Sequence, residues 1–158
     1  MRQSLIKTLF IKNIIQIKLY NFELHLLKMN KMKDTPKIML IDDSTTNNIL
    51  YSSIFTDEGY DVVICDNSKN ALKMIIEEKP SLIILDLMMP GIDGFELMKK
   101  IKQDSNLASI PIVMVTAKLS KESEEKAKNM GVQAYLNKPV GINEIVDVVK
   151  NILNVYHS

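Results

Sequence analysis

The chain has 158 residues, 46% of them hydrophobic, which is enough for the core of one ordinary domain and an appendage. Its single cysteine excludes an internal disulfide, and no Cys/His cluster indicates zinc. The net charge of +1 is unevenly divided, because residues 1–36 carry seven basic and two acidic residues (+5) and residues 37–158 carry 13 and 17 (−4). The larger part is mildly acidic and has no basic stripe, which argues against nucleic acid as a partner.

Residues 1–36 form a basic N-terminal extension whose structure the sequence leaves open. No stretch of about 18 uncharged apolar residues predicts a membrane span, and no cleavage site follows a clean apolar core as in a signal peptide. The segment is a disordered leader, an amphipathic helix that contacts a membrane or a partner, or a start assigned too far upstream of Met29 or Met32. Lysines interrupt a series of apolar residues at helical spacing: Leu5, Ile6, Leu9, Phe10, Ile14 and Ile17.

From residue 37 onward, short apolar runs alternate with helix-length segments, which predicts five βα units of an α/β fold. The strands are predicted near residues 38–42, 61–65, 82–86, 112–116 and 133–137. The helices are predicted near residues 45–58, 68–79, 94–104, 121–130 and 142–154. Gly59, Pro80 and Gly131 each follow a predicted helix where it is expected to stop. Strands 1, 3 and 4 are continuously apolar, so we expect them at the centre of a parallel sheet with helices on both faces.

The fourth predicted helix has almost no apolar stripe, since residues 118–128 are mostly lysine, glutamate and serine. Such a helix buries little surface and is loosely held. It is either a plain solvated helix or an element that shifts when the protein switches state. Its place in the chain, after Thr116 and before Tyr135, is what favours the second interpretation.

Charged residues follow three of the predicted strands. Asp42 and Asp43 close the first strand, Asp86 closes the third, and Lys138 closes the fifth. Because parallel strands meet at one edge of an open sheet, and ligands bind at that edge, we expect these side chains to converge there. A strand-end Asp alone is often only a helix N-cap, but the combined pattern indicates a site for a divalent cation and a phosphoryl group.

Oxygen ligands of this kind suit Mg²⁺. We expect Asp43 and Asp86 as direct ligands, Asp42 as holder of a metal-bound water, and the backbone carbonyl of Met88 as a further ligand. The Asp86 carboxylate projects alone, so it can act as the nucleophile that becomes an aspartyl phosphate. The ammonium of Lys138 would stabilise the transferring oxygens, and a hydroxyl at Thr116 could reach a phosphoryl oxygen.

Four motifs resemble the receiver domain of bacterial two-component response regulators across residues 37–154. They are Ile-Asp-Asp-Ser at 41–44, Leu-Asp-Leu-Met-Met-Pro-Gly-Ile-Asp-Gly at 85–94, Val-Thr-Ala at 115–117 and Tyr-Leu-Asn-Lys-Pro at 135–139. The resemblance implies a flavodoxin-like (βα)₅ sheet of order 2-1-3-4-5 over a receiver domain at 37–158. It also implies Asp86 as the phosphoacceptor and a cis peptide bond before Pro139.

The resemblance further implies phosphorylation by a histidine kinase, or slowly by small phosphodonors, and a signalling rather than an enzymatic role. Phosphorylation then draws Thr116 inward, Tyr135 follows, and the face of helix 4, strand 5 and helix 5 changes shape, with a phosphorylation-dependent dimer as one outcome. The chain has no room for an output domain, so it is expected to act alone on a downstream target protein. The cysteine content weakly indicates the cytoplasm.

Two other function classes remain to be weighed. A phosphorelay intermediate would pass its phosphoryl group to a histidine phosphotransfer protein. A haloacid-dehalogenase-like phosphatase needs an acid two residues after the nucleophile, where this chain has Met88, and a substrate cap that it lacks.

The resemblance also bears on how long a phosphoryl group would last. A Met at position 88 cannot orient an attacking water, so we predict a slowly decaying phosphoryl state. Lys118 occupies the other position at which the family tunes hydrolysis.

Overall fold

We describe the protein from a computed structural model that covers residues 14–25, 35–91, 93–118 and 120–156. The chain divides into two compact units, Met1–Thr35 and Pro36–Ser158. Within the first unit, residues 14–25 form a helix on which every side chain is exposed. The expectations for Leu5, Ile6, Leu9, Phe10, Met29 and Met32 lie outside the described residues. None of the described helices is long and apolar enough to cross a membrane.

The second unit is five βα repeats, and its helices and strands lie within a few residues of the predicted positions. The strands are β1 (Lys37–Ile41), β2 (Asp61–Cys65), β3 (Leu82–Leu85), β4 (Ile112–Thr116) and β5 (Ala134–Asn137). The helices are α1 (Thr45–Asp57), α2 (Ser68–Glu78), α3 (Gly94–Gln103), α4 (Lys121–Asn129) and α5 (Ile142–Tyr156). All strand pairs are parallel, in the order β2-β1-β3-β4-β5, which confirms the predicted fold class.

The apolar strands bury both of their faces, as their composition predicts. Alternate residues point to opposite sides of a strand, so Met39 and Ile83 pack towards α2 and α3, while Ile38 and Leu82 pack towards α1 and α5. The register places Ile38 beside Leu82. Because β1, β3 and β4 are covered on both sides, their ends are fixed by the whole core, and the residues that follow them are held in place.

Two local features differ from what the sequence indicates. Helix α2 ends at Glu78, one residue before its predicted end, and Lys79 caps it in the left-handed conformation (φ 48°), which is uncommon for a residue with a side chain. Helix α1 is capped by Ser44, whose hydroxyl accepts a hydrogen bond from the N–H of Asn47. Neither Asp42 nor Asp43 is therefore the N-cap of α1, and their carboxylates are available for other contacts.

Cys65 ends the edge strand β2 and is buried, with 2% of its surface exposed. Its thiol donates a hydrogen bond to the carbonyl of Asn67 at 3.3 Å. Burial raises the pKa of this thiol, an effect that the hydrogen bond to Asn67 partly offsets. The thiol is thus buried, and its reactive thiolate form is disfavoured.

Candidate functional site

The ends of β1, β3, β4 and β5 bring the predicted residues to one edge of the sheet. The N–H of Asp86 donates to the carbonyl of Ile41 at 2.9 Å, and the N–H of Lys138 donates to the carbonyl of Thr116 at 2.9 Å. These backbone bonds carry the sheet one residue past its strands. They hold the backbone of Asp86 beside the end of β1 and the backbone of Lys138 beside the end of β4.

Lys138 joins two of the three aspartates directly. Its Nζ lies 2.7 Å from Oδ2 of Asp42 and 2.6 Å from Oδ2 of Asp86, and all three side chains are largely buried. Burial lowers the pKa of Lys138, but the hydrogen bonds to Asp42 and Asp86 outweigh it, so the pKa is raised above 10.5. The ammonium is therefore charged at neutral pH and offsets the repulsion between the two carboxylates.

Asp42 is the most fully bonded of the aspartates. Its carboxylate accepts hydrogen bonds from the N–H of Ser44 at 2.8 Å and from Nδ2 of Asn47 at 2.9 Å, in addition to Lys138. Its backbone carbonyl accepts from Nδ2 of Asn48 at 2.8 Å. Three donors leave this carboxylate little capacity for a direct metal bond, which suits contact through a water molecule.

Asp86 is held in place by its own loop. Oδ1 accepts a hydrogen bond from the N–H of Met88 at 2.9 Å, and the residue is 7% exposed. The loop returns to the start of α3 at Gly94, where an added Cβ would lie 2.8 Å from Cα of Leu87 and 2.9 Å from the carbonyl oxygen of Asp86. Only glycine fits at this position, because α3 approaches the backbone of Asp86 and Leu87 so closely.

Asp43 differs from the other two aspartates because its carboxylate is exposed and accepts no hydrogen bond from the described residues. It lines an open cleft of about 320 Å³ with Asp66, Asn67, Lys69 and the turn at residues 90–91. A larger cleft of about 490 Å³, beside Ile76 and Leu107, lies where α2 and α3 end, away from the aspartates. The cleft of about 320 Å³ is therefore the one of these two that borders the candidate site, through Asp43.

The donor set at this edge fits Mg²⁺, with one qualification. Its protein ligands would be the free carboxylate of Asp43, the carboxylate of Asp86 and a backbone carbonyl at Met88, all hard oxygens. Among the described residues, however, no three acidic, histidine or cysteine side chains lie close enough together to hold a metal ion by themselves. Such a site would therefore depend on water and phosphoryl oxygens as additional ligands, which is how Mg²⁺ is usually bound.

Thr116 and Tyr135 are connected through the backbone of Lys118. The N–H of Lys118 donates to Oγ1 of Thr116 at 3.3 Å, and its carbonyl accepts from the hydroxyl of Tyr135 at 2.8 Å. Burial raises the pKa of Tyr135, and the carboxylates of Glu124 and Asp86 add to the shift, so the phenol remains a donor. The Thr116 hydroxyl that could reach a phosphoryl oxygen is thus engaged with its own loop, and the Tyr135 ring is half-buried against the core.

Several site residues were not identified from the sequence. Asn47 and Ser44 orient Asp42, and their only sequence signal is a run of polar residues at the start of α1. Exposed apolar residues on α1 and at the start of α5 were also missed, because a single exposed Leu or Ile is common on protein surfaces. They are Ile49, Leu50 and Ile142.

Comparison with known proteins gives a consistent result. The sequence profile described as "Response regulator receiver domain" matches residues 38–150. The chain belongs to this family. It is 31% identical over 116 residues to the polar-differentiation response regulator DivK of Brucella anthropi, across 73% of this chain and 94% of that protein. Its DivK relative in Brucella ovis is 30% identical over 119 residues, across 75% of this chain and 97% of that protein.

Solved structures agree with the profile. A CheY-like receiver domain protein from Methanospirillum hungatei superposes with a TM-score of 0.74 at 27% identity, across 78% of this chain and 98% of that one. The chemotaxis protein CheY4 of Vibrio cholerae gives 0.70 at 27% identity, across 75% and 98%. This chain is thus a receiver domain of the two-component type, and domains of this family typically bind Mg²⁺ and interact with kinases and downstream targets.

Proposed function

We propose that Asp86 accepts a phosphoryl group and that the acyl phosphate switches the binding of partner proteins. The observation that carries this proposal is Lys138, whose Nζ lies within 2.7 Å of carboxylate oxygens on both Asp42 and Asp86. A largely buried ammonium beside a strand-end carboxylate suits the stabilisation of a transferring phosphoryl group. The role is that of a signalling domain that acts on itself and not of an enzyme with a separate substrate.

The chemical step forms one bond and breaks one. An Asp86 carboxylate oxygen attacks the phosphorus of a phosphohistidine or a small acyl phosphate, and the bond from phosphorus to the leaving nitrogen or oxygen breaks with its electron pair. Lys138 offsets the negative charge on the phosphoryl oxygens during transfer. Bound Mg²⁺, held by Asp43, Asp86, the carbonyl of Met88 and, through water, Asp42, would neutralise further charge at the same oxygens.

Exposed apolar residues on α1, in the β3–α3 loop and at the start of α5 support a protein as phosphodonor. Ile49 of α1 is 65% exposed and Met88 is 59% exposed, and Leu50 and Ile142 add further exposed apolar surface. Apolar groups around a polar reaction centre are typical of protein-binding surfaces. A sensor histidine kinase is the partner that we propose for this surface. The alternative is a histidine phosphotransfer protein, in which case the chain is a phosphorelay intermediate.

The output surface in this proposal is formed by α4, β5 and α5. Once a phosphoryl group stands on Asp86, Thr116 turns its hydroxyl towards it, and the Tyr135 ring leaves the carbonyl of Lys118 and turns inward. Binding of a downstream protein, or pairing of two copies, would respond to that change.

We propose that the protein is cytoplasmic and does not bind nucleic acid. Residues 37–158 are the receiver domain in this proposal, and residues 1–36 are an extension that contacts a membrane or a partner weakly.

Intact-mass spectrometry after incubation with acetyl phosphate tests the proposal. We expect one phosphoryl adduct on the wild-type protein in the presence of Mg²⁺, little without Mg²⁺, and none on Asp86→Asn. Asp93→Asn is a matched control, because Asp93 caps α3 at the same edge of the sheet and should not prevent the adduct. A wild-type protein that is folded by circular dichroism but forms no adduct would refute the proposed phosphoacceptor.

A second experiment separates the two signalling roles. Purified phospho-protein is mixed with a histidine phosphotransfer protein, and the phosphoryl group is followed on both chains. Rapid and reversible transfer supports the relay intermediate, whereas binding to a target that depends on phosphorylation, with no transfer, supports the switch.

A further inference from the structure

The ring of Phe95 lies between two lysines from a different part of the chain. Phe95 is the second residue of α3 and is 5% exposed. Nζ of Lys126 on α4 lies 4.2 Å from the ring centroid, and Nζ of Lys118 in the β4–α4 loop lies 5.8 Å from it. Both distances fall within the range in which an ammonium is attracted to the face of an aromatic ring.

This contact joins a firmly held helix to a weakly held one. Helix α3 buries five residues in the core, among them Phe95, Leu97 and Ile101. Helix α4 buries only Ser123 and Ala127, and its other side chains are charged or polar. Because α4 buries so little, the attraction between Lys126 and Phe95 adds to the interactions that hold it against α3.

The same ring lies beside the residue that connects Thr116 to Tyr135. The N–H of Lys118 donates to Thr116, its carbonyl accepts from Tyr135, and its ammonium lies over the Phe95 ring. Helix α4 is capped by Ser120, two residues later. A movement of this loop that frees Thr116 would carry the start of α4 with it and change the distance from Lys126 to Phe95.

We propose that Phe95 and Lys126, supported by Lys118, form a cation–π latch that favours the unphosphorylated arrangement and slows phosphorylation of Asp86. This inference rests on the proposed function of Asp86. A contact made in only one of two conformers shifts their equilibrium by its own free energy, so losing the latch increases the fraction that is ready to react. Lys126 and Phe95 are positioning residues, since they act through Thr116 and do not touch the phosphoryl group.

The test compares three variants of α4. Lys126→Met removes the charge and keeps most of the alkyl chain, Lys126→Arg keeps a cation over the ring, and Lys128→Met removes a charge from the same helix away from the ring. Lys128 is a matched control because it pairs with Glu124 on the exposed face of α4. The measurements are the initial rate of phosphorylation by acetyl phosphate with Mg²⁺ and the affinity for beryllofluoride, a phosphoryl mimic.

We expect Lys126→Met to raise both the rate and the affinity by about two- to fivefold, the effect of one exposed cation–π contact. The amide NMR signals of Thr116 and Lys118 should move part of the way towards their beryllofluoride-bound positions without added ligand, which a loss of stability alone would not produce. Lys126→Arg and Lys128→Met should behave like the wild type. Phe95→Leu should also raise the rate, and adding Lys126→Met to it should have no further effect.

The outcomes separate this inference from the proposed function. If the wild type forms the adduct but Lys126→Met is unchanged or slower, the latch is wrong and the phosphoacceptor stands. If Lys128→Met has the same effect as Lys126→Met, the charge of α4 and not the Phe95 ring is responsible, and the latch is again wrong. If the wild type forms no adduct at all, the proposed function fails and the latch fails with it.

Discussion

Lys138 holds two carboxylates at once, and its charge state decides what this arrangement contributes to stability. Its folded-state pKa is raised, so the ion pair is fully formed below pH 10.5 and is lost only as the pH rises through the folded-state value. We predict that Lys138→Met lowers the free energy of unfolding by about 3 kcal/mol at neutral pH, because it leaves two buried carboxylates without their cation. Urea unfolding measured across a pH series tests this.

The difference in the free energy of unfolding between the wild type and Lys138→Met should stay constant through the neutral pH range. It should narrow only above about pH 10. Lys99→Met is the control, since Lys99 is exposed on α3, and it should change stability by less than about 0.5 kcal/mol. A difference that disappears between pH 7 and 9 would show that the pKa of Lys138 is lowered in the folded protein, which would contradict the prediction.

Met88 is exposed and lies two residues after Asp86, the proposed phosphoacceptor, and its thioether is a poor hydrogen-bond partner for water. We predict that Met88→Asn speeds the loss of the phosphoryl group about five- to tenfold, since one hydrogen bond that orients the attacking water is worth about 1 kcal/mol. Decay of the adduct, followed by mass spectrometry after removal of acetyl phosphate, gives the rate. Met88→Leu should decay as the wild type does, and a wild-type half-life of seconds would contradict the prediction.

The candidate site residues could be named from the sequence, but their contacts could not. A charge after an apolar run marks a strand end, and parallel strands bring such ends together, so Asp86 and Lys138 were placed at one edge. The bonds of Lys138 to Asp42 and Asp86 span 96 and 52 residues. No local pattern encodes which carboxylate an ammonium will choose at that separation, or that it will bridge two.

Helix α3 begins at Gly94, where the backbone of Asp86 and Leu87 passes close to it. A methyl group at Gly94 would overlap Leu87 and the carbonyl oxygen of Asp86, so the loop or the helix must move. We predict that Gly94→Ala lowers the free energy of unfolding by about 1–3 kcal/mol and slows phosphorylation, because the carboxylate of Asp86 is displaced with its backbone. Urea unfolding and the rate with acetyl phosphate measure the two effects.

Gly141→Ala provides the comparison for this variant, since the nearest atom to an added Cβ there is 3.8 Å away, on Glu144. It precedes α5 at the same edge of the sheet and should leave both quantities close to the wild type. Equal effects of the two substitutions would mean that close packing at Gly94 is not the cause.

The helices and strands were predicted well because periodicity and punctuation agree at most of their ends. Lys79 is an exception, since a left-handed residue with a side chain has no sequence signal and the following proline seemed to explain the stop. The role of α4 was only half predictable. Its lack of an apolar stripe showed that it is loosely held, but a contact between Lys126 and a ring 31 positions earlier appears only once the chain is folded.

At the scale of the whole molecule, all of the site residues and both faces of the core belong to the unit Pro36–Ser158. We predict that a chain beginning at Met32 keeps the Mg²⁺-dependent adduct on Asp86 and the same phosphorylation rate within about twofold. Phosphorylation and sedimentation with vesicles of anionic lipid, each compared with the full chain, separate the domain from its extension. A shortened chain that folds but is not phosphorylated would show that residues 1–31 take part in the reaction.

Among the described residues, the apolar core divides into two clusters, one on each face of the sheet, so the sheet lies between them. Helices α2, α3 and α4 share one face with Phe95, and α1 and α5 share the other with Phe55. Asp86 follows the central strand β3, and Thr116 ends the central strand β4. A phosphoryl group on Asp86 would therefore act at an edge of the sheet that borders both clusters.

The burial of Cys65 has a practical consequence for anyone who wishes to watch this protein at work. It is the only cysteine in the sequence, and its thiol is enclosed and hydrogen-bonded, so a maleimide dye should leave the folded native chain unlabelled. A cysteine introduced at the exposed Glu125 of α4 would then carry the only fluorophore. Its signal could report the position of that helix in real time, without any need to replace the natural thiol.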